Sequence, residues 1–309
     1  MKKIIASLAA VVFAAGLVGA QDFAGITEIY NNCAASLTAG DKAGALASFE
    51  EALEKATALG EEGKDIVENC KNIIPNINLS IAKDFIKASD YDSAIQKLVA
   101  VLEVAKNFGA EDILAEAEGL IPQVKMQKGN GLLKENPAAA AEIYKEIIDA
   151  DATNGMAALR LGQALGASGD SDGAVAAFEQ AAANGQEKIA LKQLSTLFLK
   201  KASAALKSKS FGDAVTAALK ANEYLANPQA LQIAGQASQL AGKNNDAIKY
   251  FTQYLESAPD AKNAGQIAYT VGALYQGAKN IEKAKEFYQK AASDPKYGAE
   301  AQKLLNSLK

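Results

Sequence analysis

The side chains that could carry chemistry in this sequence are few and badly spaced for it. Histidine, the commonest proton carrier near neutral pH, is absent. Its absence removes Ser-His-Asp and Cys-His nucleophiles, His-ligated zinc and imidazole relays together. The only cysteines, Cys33 and Cys70, lie 37 residues apart and make no Cys-rich metal site. Asp149, Asp151, Asp170 and Asp172 offer carboxylates, but the calcium loop with its terminal Glu is missing, so they read as solvated turn acids. The pairs Glu50-Glu51 and Glu61-Glu62 fit wet helix faces. Gly166-Ala-Ser-Gly169-Asp170 lacks the Lys that a phosphate-binding loop places after its Gly. The expectation is a protein that is not an enzyme, with no catalytic residue, metal or cofactor.

Composition narrows the partners. The 309-residue chain is 49% hydrophobic and 22% charged, enough to bury a large core. Alanine is abundant, Trp is absent and only six prolines occur, which suits closely packed helices and not sheets. Met1-Lys2-Lys3, the apolar run Ile4 to Leu17 and the small residues Val18-Gly19-Ala20 form the pattern of a secretory signal peptide over residues 1–20. The first Cys is Cys33, so no lipoprotein cleavage Cys is present, and no later segment is apolar enough to insert in a membrane. The chain beyond residue 20 carries 30 basic against 36 acidic side chains, a net of −6, and Arg160 is its only Arg. An acidic chain without clustered cations is no nucleic-acid binder. The expected location is exported, periplasmic or secreted. In an oxidising compartment Cys33 and Cys70 either pair, which would stabilise the fold by roughly 4 kcal/mol on the chain-entropy model, or stay apart as small buried apolar residues.

What must position any binding residue is a repeat. Ala174-Val-Ala-Ala-Phe178-Glu-Gln-Ala181 and Ala284-Lys-Glu-Phe-Tyr288-Gln-Lys-Ala291 share an Ala, a large residue four on and a small one three beyond. The same spacing runs through Ala45/Phe49/Ala52, Ala94/Leu98/Val101, Ala140/Tyr144/Ile147, Ala214/Ala218/Ala221 and Ala247/Phe251/Tyr254. Positions i, i+4 and i+7 share one helix face. Gly162, Gly235 and Gly272 stand twelve residues before three of these alanines, as small residues of a preceding helix. Turn signals divide the paired helices at 169–173, 242–245 and 277–280, and Pro259 and Pro295 follow the second helices. One apolar face per pair demands stacking into a solenoid.

These residues resemble the tetratricopeptide repeat (TPR), a helix–turn–helix unit of about 34 residues, best in 155–188, 228–261 and 265–296. The spacings of the recurring Ala are 49, 46, 34, 40, 33 and 37. The long first intervals, with the paralleled segments Ile73-Ile74-Pro75 and Leu120-Ile121-Pro122, resemble the elongated-helix variant. No repeat has Trp at its fourth position. The resemblance implies an all-α, right-handed solenoid of six to seven repeats: elongated pairs over 21–125, repeats over 126–296 and a capping helix over 297–309. In that cap Ala299, Leu304, Leu305 and Leu308 would cover the last pair.

The resemblance also implies a concave groove lined by the second, fifth, ninth and twelfth residues of each unit. On this chain these are Gln229, Gln232, Gln236 and Gln239; Gln266, Tyr269 and Gln276; and Met156, Leu159 and Gln163. Amides donate and accept, so such a groove suits an extended peptide held by its backbone. The charged clamp that some relatives use for a terminal carboxylate is not matched, since only Arg160 and Lys200 lie near its positions. The function implied is a scaffold for proteins or peptides in the bacterial envelope. The alternative is a small-ligand or glycan binder, for which the groove supplies one aromatic, Tyr269.

Overall fold

A computed structural model describes residues 20–308, so the predicted signal segment lies outside the described residues except for Ala20. The chain divides into two compact units, one ending at Asp151 and the other starting at Ala152. Among the described residues every regular element is helical. The first unit holds α1 (Ala20–Thr38), α2 (Lys42–Ala58), a short 3₁₀ turn (Gly60–Gly63), α3 (Lys64–Lys87), α4 (Tyr91–Phe108), α5 (Glu111–Leu132) and α6 (Pro137–Ala150). The second holds α7 (Gly155–Ser168), α8 (Ser171–Ala181), α9 (Glu187–Lys207), α10 (Phe211–Tyr224), α11 (Pro228–Leu240), α12 (Asn244–Ser257), α13 (Ala264–Gly277), α14 (Ile281–Ala291) and α15 (Gly298–Ser307). Successive helices pack as antiparallel partners, giving three pairs in the first unit and four in the second, with α15 against α14.

The recurring triplet is the core of every pair. All seven alanines, from Ala45 to Ala284, are fully buried, and the residues four and seven positions on, from Phe49 and Ala52 to Tyr288 and Ala291, are buried too. The opposing position must be small because the ring lies on it. A Cβ added to Gly162, Gly235 or Gly272 would come within 2.6, 2.4 or 2.8 Å of Phe178, Phe251 or Tyr288. Gly129 meets Tyr144 in the same way at 2.7 Å, one residue out of the usual spacing.

Local chemistry sets the hairpin turns. Asp41, Asp90, Asn136, Asp170 and Asn280 cap five of the seven second helices, each side chain accepting a hydrogen bond from the N–H three residues on. In six of the seven turns the residue just before the second helix's N-cap is left-handed: Gly40, Ser89, Gly169, Lys209, Gly242 and Lys279. At 277–280 this role falls to Lys279, while Gly277 ends α13. The long Ala spacings come from the first helices, since α3 has 24 residues, α5 22 and α9 21, against 14, 13 and 14 in α7, α11 and α13. Pro75 and Pro122 both sit inside these elongated helices. The cap differs in one residue from expectation. Because α15 starts at Gly298, the positions facing Tyr288 are Ala301, Leu304, Leu305 and Leu308, and Ala299 is exposed.

Candidate functional site

Helix α11 shows how the fold leaves a surface open. Asn227 caps it, accepting from Gln229 N–H at 2.9 Å, and Pro228 occupies its first turn. Its neighbours α9, α10 and α12 all pack against it. They bury Ala230, Leu231, Ile233, Ala234, Gly235, Ala237 and Ser238. What remains open is the strip Gln229, Gln232, Gln236 and Gln239, with Leu240 at its end; Gln232 is half-buried and the others are exposed. No charged residue occurs in α11 or α13, and Arg160 is the only one in α7.

The remaining predicted residues divide by what their polar atoms already do. Gln266 is exposed in the first turn of α13. Gln276 is engaged internally, its side-chain oxygen accepting from the Tyr288 hydroxyl at 2.6 Å. Gln163 likewise accepts from Arg160 at 3.0 Å. Tyr269 is half-buried between Tyr288 and Tyr297, with ring centroids 5.6 and 5.4 Å away, and so belongs to the packing under α15. Leu159 is buried, whereas Met156 is 42% exposed. A signal for the Gln276 role existed: a Tyr at the ring position carries a hydroxyl that needs a partner upstream. Asn130 serves Tyr144 in this way at 2.9 Å.

Cys33 and Cys70 are free thiols, fully buried in one core with Tyr30 and Phe49. Cys33 stands twelve residues before Ala45 and sixteen before Phe49, so it fills the small-residue place of the first pair. Its thiol donates to Ile29 O at 3.1 Å. Burial pushes Cys33 up to about 11 and Cys70, with the nearby Cys33 adding to it, to about 12, from a usual 9.0. Burial raises the Tyr30 hydroxyl to about 12, with both cysteines contributing. Thiols held neutral in this way are poor nucleophiles.

A cavity of about 620 Å³ lies between the end of α12, the 259–262 loop, the start of α13 and the end of α14. Its charged lining is mixed in sign, and two of its groups are already engaged. Lys290 pairs with Glu286 at 2.9 Å, and Asp294 accepts from the N–H groups of Lys296 and Tyr297. Among the described residues there is no group of three or more side chains suited to a metal, and no helix long and apolar enough to cross a membrane.

No family model matches the chain, and no curated protein is similar to it in sequence. Solved structures similar to it include MamA, at 18% identity over 56% of this chain and 96% of that one, with a TM-score of 0.33. YrrB, described as a TPR protein with an unusual peptide-binding site, matches at 20% identity over 59% of this chain and 91% of that one, with a TM-score of 0.33. The pilF protein of Pseudomonas aeruginosa matches at 16% over 58% and 79%, with a TM-score of 0.31. TM-scores this low carry no structural inference, so the repeat assignment stands on the buried Ala, aromatic and small-residue positions.

Proposed function

We propose that the protein is an interaction scaffold of the bacterial cell envelope, exported by its first twenty residues, and that the open strip of α11 with Gln266 of α13 is a docking track for an extended polypeptide. The observation that carries this reading is the strip itself. A helix enclosed by three neighbours leaves one face to solvent, and that face holds four glutamines, Leu240 and no charge. Each amide donates and accepts, which matches a peptide backbone without selecting for side-chain charge. From Gln229 to Gln239 the helix rises ~15 Å, the length of about five residues of extended chain. Amides exchange water hydrogen bonds for protein ones at small net gain, so the expected binding is reversible and modest. The glycan alternative loses its one aromatic, because Tyr269 is packed between two other tyrosines.

The test places a photo-crosslinking residue at position 236 or 239, and a control at the exposed Glu282 of α14, in living cells. Adducts with a defined protein partner are expected at 236 and 239 and not at 282. Replacing Gln232, Gln236 and Gln239 together by Ala should reduce that partner's recovery several-fold while the melting temperature holds. Equal adducts at all three positions, or recovery indifferent to the triple change, would remove the strip from the function.

A further inference from the structure

The two units carry opposite charge. Residues 21–151 contain twelve lysines and 23 acidic side chains, a net of −11. Residues 152–309 contain eighteen basic and thirteen acidic side chains, a net of +5. The net charge of −6 beyond residue 20 thus sums two units of opposite sign.

The positive excess is concentrated. Whereas α7, α11 and α13 together carry one charged side chain, α9 alone carries Lys188, Lys192, Lys200, Lys201 and Lys207 against Glu187. Lys201 is paired with Asp172 at 2.9 Å. The other four lysines are exposed and make no ion pair among the described residues. At 100° per residue they fall within a sector of about 120°, running ~28 Å along the helix. Exposed Ile189, at 47%, lies at the start of the row. In the first unit, Glu50, Glu54, Glu61, Glu62, Asp65 and Glu68 are likewise exposed and without an ion pair, on the end of α2, the 3₁₀ turn and the start of α3. Only Lys55, itself held by Glu51 at 2.7 Å, and Lys64 interrupt them.

We propose that the lysine row of α9 docks on the acidic surface around Glu50–Glu68 of a second copy of this chain. The two surfaces are different patches, so every copy carries one of each and either pairs with its partner twice, row to acid and acid to row, or passes the contact on from copy to copy. The first arrangement closes as a two-fold dimer, and the second gives rings or open chains. Opposite surface charges steer such encounters, and salt at physiological strength screens them over about 8 Å. This surface is separate from the glutamine strip, so either can fail without the other.

Sedimentation velocity of the purified protein, from micromolar to about a hundred micromolar, tests it. At low salt the weight-average sedimentation coefficient should rise with concentration, and raising the salt to 0.5 M should weaken association by roughly tenfold or more. The variant Lys188→Glu/Lys192→Glu/Lys200→Glu should sediment as a monomer, as should Glu54→Lys/Glu61→Lys/Glu62→Lys. An equimolar mixture of the two should associate again, because each supplies the surface the other has lost. Should a charge-reversed variant melt early, the corresponding Lys→Gln or Glu→Gln set serves instead, with the same expected loss. A monomer at every concentration in low salt overturns the proposal. So does association that survives both the salt and the lysine changes, or charge-swapped variants that stay apart when mixed.

Discussion

The tightest constraint on any single residue is the ring laid on a small side chain. In the sixth pair Phe251 leaves no room for a methyl on Gly235. Gly235→Ala should therefore destabilise by about 1–2 kcal/mol in urea unfolding, overpacking outweighing the gain in helix propensity. In the fifth pair Ala202 and Ala218 hold the two places, neither of them a ring, so Ala202→Gly should cost about 1–2 kcal/mol through helix propensity and the lost burial of its methyl. The thiols give a second residue-scale test. Below pH 9 burial of neutral Cys33 and Cys70 contributes its full share to stability, and this is lost as pH rises through the range from 9.0 to about 11 and 12. Iodoacetamide at pH 8 should leave both unmodified in the folded protein and modify both in urea, and melting temperature should fall between pH 9 and 11. Labelling of either thiol without unfolding would contradict their burial. At this scale the core was legible and the polar contacts were not. Spacing alone identified Phe178 and Tyr288, because a repeated i, i+4, i+7 face has one way to be buried. Nothing in the spacing told that Tyr297 would fold back beside Tyr269, since that depends on where α15 begins.

At the scale of the helix, the turns follow a common backbone rule with unequal residues. Gly40, Gly169 and Gly242 occupy the left-handed position naturally, but Ser89, Lys209 and Lys279 hold the same conformation with a Cβ, at a cost of roughly 1–2 kcal/mol each. Lys279→Gly should raise stability by about 0.5–1 kcal/mol after the added entropy of unfolded Gly, seen as a higher urea midpoint at unchanged slope. Gly277→Ala, one turn residue away and helical, should bring no such loss of a left-handed site, and a substantial destabilisation there would contradict the assignment. The Gly-Ala-Lys-Asn sequence marked this turn without revealing which residue bears the positive φ. Helix length was legible only indirectly. The 49- and 46-residue intervals signalled long first helices in the early pairs, while the 40-residue interval at Ala214 comes from the same cause in α9.

For the whole molecule, the sequence outside the described residues makes the clearest prediction. Removal of residues 1–20 would leave α1 complete but for Ala20. Protein recovered from the cell envelope should begin at or near Gln21 by N-terminal sequencing; an intact Met1 in a membrane fraction would identify an uncleaved anchor instead. The number of pairs was legible from seven recurring alanines, all of which are buried. The division after Asp151 was not, because the same triplet continues on both sides of it in α6 and α8. The unequal first helices have a further meaning for how such a chain can change. The buried seam of Ala and the residues four and seven on recurs in all seven pairs while the helix opposite it runs from 13 to 24 residues. Length added at the start of a first helix, in steps of about seven residues so that the apolar face returns to register, leaves the seam untouched. An insertion there is a route by which descendants of one gene can acquire new ledges and new binding partners without first losing the ability to fold.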